Sequence, residues 1–269
     1  MRSVLTTYVL LFAFVPFCSG QSFDGKPKTD ADPSVKEFLA QLDADDPEQV
    51  ETVLGTVSSL GYLGQVNRQK VEKRLVDLLE APTALVRIRA ASALNLIDGP
   101  LDRAIQVLIE VAVTTPKIWP LRDGKRMYAE GDASYAISTL GYLGERAAIC
   151  VPTLIELLKS EDMGVHINSI DALGQIGIAA SIALPALEKE LLDSESLEQG
   201  QEDDPQWLAA CGLAMIDPHN PKIRPILEPL FFEGIYSLNR SDHLALIETI
   251  SAGVEFDVEF RSFLGRRVG

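Results

Sequence analysis

The sequence predicts an all-α fold, an α-solenoid of about five to six stacked helix pairs, on three observations. A short apolar pattern recurs five times: SLGYLG at 59–64, ALNLID at 93–98, TLGYLG at 139–144, ALGQIG at 172–177 and GLAMID at 212–217. Residues suited to ending a helix fall at the same offset in every copy. Of the 269 residues 46% are hydrophobic but only 7% aromatic, which suits closely packed aliphatic helices and is too apolar for a mainly disordered chain.

The first segment reads as an address. Met1-Arg2 supplies a positive start, Val4 to Phe17 is apolar, and Cys18-Ser19-Gly20 ends in small residues before the polar Gln21-Ser22. These are the three regions of an export signal peptide over residues 1–20, with cleavage after Gly20. The run falls short of the roughly 20 apolar residues of a spanning helix, and no transmembrane helix is expected in the mature chain. A second reading cuts just before Cys18 and anchors its thiol to lipid, although Pro16-Phe17 upstream fit that poorly. Residues 21–31 (QSFDGKPKTDA) read as a flexible linker. The repeat domain is then expected over 32–269. Asp32-Pro33 and Asp46-Pro47 each look like an N-cap followed by proline at the first helical position.

The leading leucines Leu60, Leu94, Leu140, Leu173 and Leu213 are spaced by 34, 46, 33 and 40 residues, a period in the range of helical repeats. Three residues on stands Leu63, Ile97, Leu143, Ile176 or Ile216, continuing the helical stripe. Small residues precede each leucine by one (Ser59, Ala93, Thr139, Ala172, Gly212) and by four (Thr56, Ala90, Ala136, Ser169, Ala209), so a neighbouring helix can approach closely. Four residues after it, Gly64, Asp98, Gly144, Gly177 or Asp217 is expected to stop the helix in the left-handed conformation. A second helix follows. Pro152, Pro185 or Pro225 stands twelve residues past the leucine, where Glu72 and Gln106 stand in the first two units. Apolar Leu75, Leu108, Leu154, Leu187 and Leu227 follow closely. The units fall near 47–82, 83–116, 130–161, 162–195 and 205–234, with a degenerate sixth at 241–264 and insertions at 117–131 and 196–207. Polar caps are expected at the ends, from the helix at 33–42 and from the segment holding Arg261, Arg266 and Arg267.

With these residues in place, the chain resembles the HEAT-like repeat family of armadillo-type solenoids, particularly the short repeat of phycobilisome lyases. Residues 162–177 (DMGVHINSIDALGQIG) with 183–192 (ALPALEKELL) carry the resemblance most fully, and 86–97 (VRIRAASALNLI) and 136–158 support it. The resemblance implies a right-handed superhelix with second helices lining its concave side. One iron-dependent branch of that superfamily, a deoxyhypusine hydroxylase, relies on His-Glu pairs; this chain has none, which excludes that activity.

No catalytic constellation appears. His166, His219 and His243 are not spaced as metal ligands; His166 stands where such repeats often carry Arg and is expected in a polar role on a helix surface, and His219 in a turn. There is no phosphate loop, nucleophile elbow or zinc spacing, so no catalytic or metal residue and no cofactor is expected. Asp203-Asp204 lacks the pattern of a calcium loop. Cys150 and Cys211 lie two units, roughly 20 Å, apart, beyond the ~7 Å reach of a disulfide, so none is expected. Both read as small buried groups.

The insertions offer the candidate site. Lys117, Trp119, Arg122, Lys125, Arg126 and Tyr128 make a cationic, aromatic island on an acidic chain, while 196–207 carries Glu198, Glu202, Asp203 and Asp204. Both fall on the edge between successive units. Either Trp119, Arg122, Lys125, Arg126 and Tyr128 bind a partner, being residue types that dominate interface hot spots, or Trp119 and Trp207 fold back over helix ends. The net charge of −15 repels nucleic acid and anionic lipid and favours a basic protein or peptide. Signal cleavage removes Arg2 and no acid, making the mature chain more acidic still. The expectation is an exported, non-catalytic binding or scaffold module in the periplasm, the cell envelope or the medium. The alternatives are a bilin-lyase-like enzyme and a lipid-anchored envelope protein.

Overall fold

A leucine that recurs every 33 to 46 residues builds a row of helix ends, and the computed structural model shows that row. It describes residues 33–44, 46–57, 65–114, 131–193, 205–217 and 220–223. The signal segment 1–20, the linker 21–31, Leu60, Gly64, Pro225, Leu227, the stretch 241–264 and Arg261, Arg266 and Arg267 lie outside them. The described residues are helical, with no strand: α1 (Pro33–Leu42), α2 (Pro47–Leu54), α3 (Gln65–Leu78), α4 (Ala84–Leu96), α5 (Asp102–Thr114), α6 (Asp132–Tyr142), α7 (Val151–Leu157), α8 (Met163–Ile176), α9 (Leu184–Asp193) and α10 (Pro205–Ile216). Two 3-10 turns, Gly144–Cys150 and Gly177–Ala183, lead into α7 and α9.

The fold is an α-solenoid. α2, α4, α6, α8 and α10 pack on one another in sequence as one layer, and α3, α5, α7 and α9 each pack on the first helix of the following pair. α1 closes the N-terminal end against α2 and α3, burying Val35, Phe38 and Leu42 and turning Lys36 and Glu37 to solvent. Asp46 caps α2 by accepting from the Glu48 N–H at 3.0 Å, with Pro47 at the first helical position.

Leu94, Leu140, Leu173 and Leu213 are each wholly buried in the last turn of α4, α6, α8 and α10. The small residues one and four places earlier are buried with them: Ala93, Thr139, Ala172 and Gly212, then Ala90, Ala136, Ser169 and Ala209. The residue just after the leucine completes the crossing. A Cβ on Gly141 would stand 2.9 Å from the Ala172 Cα, and one on Gly174 the same distance from the Gly212 Cα. On α4 the corresponding residue is Asn95, which accepts from Arg146 at 3.1 Å.

Helix endings explain the fourth residue after the leucine. Asp98 has φ +51°, its N–H donates to Asn95 O at 3.1 Å, and the Gly99 N–H donates to Leu94 O at 2.8 Å, a complete Schellman ending. Gly144 and Gly177 have φ +58° and +72°. Asp217 corrects the expectation: it is not left-handed. Its N–H donates to Leu213 O at 2.7 Å, the last bond of the helical ladder, and the following Pro218 disfavours carrying the helix on.

The stretch Met163–Leu192 is long enough and apolar enough on average to cross a membrane, by length and composition only. It folds as α8, a turn at Gly177 and α9, with 44% of its most apolar window buried. The last residues counted in the insertion 196–207 are helical, since Pro205 opens α10.

The glycine crossings yield a direct expectation. Gly174→Val places branched carbon against the α10 backbone, and urea denaturation should show a loss of about 3 kcal/mol. The same change at Gly131, where no atom lies within 4 Å of a Cβ, should cost far less; equal losses would show that the crossing is not what requires glycine.

Candidate functional site

Of the residues the sequence singles out for binding, Trp119, Arg122, Lys125, Arg126 and Tyr128 lie outside the described residues, as do the Trp207 side chain and Asp203-Asp204. His219 and His243 lie outside them too. What the structure does place is the chemistry between the insertions.

His166 has the polar role expected of it, less exposed than a helix-surface position implies. It is half-buried at the start of α8, its Nδ1 2.7 Å from Leu158 O at the end of α7 and its Nε2 3.2 Å from the Glu190 carboxylate on α9. The same offset before the leading leucine is Arg87 on α4 and Gln206 on α10. Arg87 donates to Ala81 O at 3.0 Å and Gln206 to Leu191 O at 3.0 Å. Three different side chains thus fasten a first helix to the end of the preceding second helix. This position is structural. Periodicity could not show it, because the partner is a backbone carbonyl of the previous unit.

Cations at the turns join neighbouring units in the same way. Arg68 donates to Asp98 O at 2.6 Å, Arg146 to Gly99 O at 2.8 Å, and Arg74 to Leu42 O at 2.8 Å while pairing with Asp43. Arg89 on α4 pairs with Glu51 on α2. Lys222 and Asn220 both donate to Glu188 on α9, which holds that carboxyl below its usual range. Arg103 bridges Glu80 and Glu110, and its hydrogen bond lowers Glu80 in the same sense.

Among the described residues the two thiols, Cys150 and Cys211, are free. Cys150 ends the first 3-10 turn, wholly buried, and burial pushes it up to about 12. Cys211 sits on α10; burial, then the Asp171 charge on α8, raises it well above the ordinary thiol. A nucleophilic cysteine needs the opposite shift. Among the described residues no group of three His, Cys, Asp or Glu is placed to hold a metal.

The second helices keep one stripe in solvent. Gln106, Glu110 and Val113 on α5 are exposed, as are Pro152, Glu156 and Lys159 at the end of the third pair and Pro185, Lys189 and Leu192 on α9. These are the same three register positions in successive units, a continuous polar and aliphatic face.

Comparison with known proteins adds the repeat type. Residues 132–202 match the family model described as HEAT repeats. No curated protein matches. Among solved structures, one engineered protein is 19% identical over 82% of this chain and 98% of its own, with a TM-score of 0.43. A second is 18% identical over 82% of this chain and 58% of its own, also at 0.43. A third is 18% identical over 84% of this chain and all of its own, at 0.39.

The buried thiol generates a pH dependence with a defined sign. Cys150 loses its proton at lower pH in the unfolded chain than in the folded one, so stability is intact below about pH 8.5 and falls as pH rises toward 12. Ala183 fills the equivalent place in the next turn, so Cys150→Ala should fold normally. Denaturation at pH 11 should show the wild type losing about 3 kcal/mol more than this variant, relative to pH 7. Identical losses would mean that Cys150 is not held as the neutral thiol.

Proposed function

We propose that this chain is an exported binding module that holds a basic protein or peptide and carries out no reaction of its own. The observation that carries the reading is the solvent-facing stripe of the second helices, repeated at one register in three successive pairs (Gln106 and Glu110, Pro152 and Glu156, Pro185 and Lys189). A partner lying along the stack meets a similar surface every layer, which suits an extended segment. The insertion 117–131 follows α5 in the sequence, and its Trp119, Arg122, Lys125, Arg126 and Tyr128 supply the anchoring chemistry.

Electrostatics sets the kind of partner. A chain of net charge −15 draws cationic segments and repels phosphate backbones, and the attraction weakens as salt screens it. Export follows from the leader at 1–20, and the mature chain begins at Gln21, or at a lipidated Cys18 in an envelope-anchored form. A bilin-lyase role is disfavoured, because such enzymes act on chromophore proteins that a leader would separate from this chain.

These points are tested together. Mass spectrometry of the secreted protein should show an N-terminus at Gln21 or a lipid on Cys18, and retention of Met1 would end the export reading. Affinity capture from the exported fraction should recover a partner that salt releases. Joint replacement of Trp119, Arg122 and Arg126 by Ala should weaken capture about tenfold, the scale of a lost hot spot. Unchanged capture with an intact fold would remove that site, and a specific absorbance shift on adding a tetrapyrrole would restore the lyase reading.

A further inference from the structure

Two of the first-helix crossings are roofed by a single side chain of the later helix. The residue two places past the leading leucine is Leu96, Tyr142, Gln175 or Met215, and each is at least partly exposed. The last two lie over the glycine of the helix before. Gln175 Oε1 on α8 is 2.7 Å from where a Cβ on Gly141 would stand, and Met215 Sδ on α10 is 3.3 Å from where one on Gly174 would stand. That same point is 2.9 Å from the Gly212 Cα, so the thioether covers the place where the α8 and α10 backbones cross.

Met215 combines this position with access from solvent, being 39% exposed. Beyond the leader, the other methionines are Met127 in the first insertion and Met163, partly buried at the start of α8. The competing sulfurs are the thiols, which react with peroxides as thiolates. Cys211 lies four residues before Met215 on the same face of α10. Burial, then the Asp171 charge, keeps it protonated, and burial does the same for Cys150. The sulfurs left to a peroxide are the thioethers.

We propose that Met215 is a peroxide-sensitive site whose oxidation loosens α10 from α8. The sulfur gives an electron pair to one peroxide oxygen, the O–O bond breaks, and the departing hydroxide takes up a proton. Hydrogen peroxide is thereby reduced to water and the thioether oxidised to the sulfoxide. The new oxygen is a hydrogen-bond acceptor set against mid-helix backbone. Gly174 and Gly212 lie inside α8 and α10, whose N–H groups are spent in their own ladders. The oxygen takes its partners from water instead, and the side chain lifts off the crossing. Contacts that fasten α10 and the following turn to α9 depend on that seat: Gln206 on Leu191 O, and Asn220 and Lys222 on Glu188. A sulfoxide can be reduced again, so the change is reversible. The inference goes beyond the reading of the chain as a binding module and does not rest on it.

The full mature chain is treated with hydrogen peroxide, sulfoxide at each methionine is followed by peptide mass spectrometry, and melting is read at each time point. Melting should fall by about 4 °C as the Met215 peptide gains one oxygen, the scale of one lost polar contact in a chain of this size. Amide exchange should rise in α8 and α10 and stay unchanged in α2 and α4. Met215→Leu keeps the side-chain volume, so it should fold as the wild type does and hold its melting through the same treatment. Met127→Leu should lose stability as the wild type does. Reduction by the two methionine sulfoxide reductases, one for each epimer, should restore the untreated melting. A Met215 that stays unoxidised while Met163 is converted overturns the site. So does a fully oxidised Met215 with unchanged melting, or an equal loss in Met215→Leu. Should that variant fail to fold, the wild-type time course decides: melting that follows oxidation of Met127 or Met163 rather than of Met215 overturns the proposal.

Discussion

The solenoid depends on how closely its first helices cross. At Gly141 over Ala172, and at Gly174 over Gly212, backbone meets backbone with no room for a side chain on the glycine. That approach brings the leading leucines of neighbouring helices into a single layer, each wholly buried. Burial of a leucine is worth roughly 1.5–3 kcal/mol against exposure, and here the gain repeats with every unit. No helix pair secures it alone. Each leucine is covered by the next pair, so stability passes along the stack as a sum of neighbouring interfaces.

The polar contacts have a different task, which is to fix orientation. Arg87, His166 and Gln206 share one position and each holds a carbonyl at the end of the preceding second helix. A long, charged side chain, an aromatic ring and an amide differ greatly in shape. What they share is an N–H donor, and the exposed carbonyls at a helix C-terminus need one. The position therefore tolerates exchange of residue type while keeping its function. The ion pairs between units, such as Arg89 with Glu51, add modestly because they remain partly in water.

The fold was legible in the sequence to the extent that one residue at one offset had one role. Leu94, Leu140, Leu173 and Leu213 could be read directly, and so could the buried small residues before them. Gly141 and Gly174 stood in the same pattern without an evident task, since the space a glycine leaves shows only once the facing helix is placed. The 3-10 turns were also hidden: GERAAIC and GIAASIA are rich in residues that suit α-helices and loops alike. Asp217 misled because Pro218, one residue on, outweighs the offset it shares with Asp98. Of the candidate site, the sequence offered composition alone. Trp119, Arg122, Lys125, Arg126 and Tyr128 form an island by residue type, and no periodicity ties them to the stack.

The two edges of the solenoid differ for a reason rooted in chain economy. A connection between pairs can lengthen at little cost, since each doubling of a loop costs only about 0.6 kcal/mol in closure entropy. The insertions at 117–131 and 196–207 occur at such connections. A connection within a pair has no such freedom. It must reverse direction at Gly144 or Gly177 and deliver Ala147 and Cys150, or Ala180 and Ala183, into the core. Its outward residues are then fixed in position by the buried ones beside them. Variation at the first edge changes the length and charge of a loop; at the second it can change only the identity of a side chain held rigidly. Ile149 and Ile182 are such side chains, exposed beside a core that does not need them.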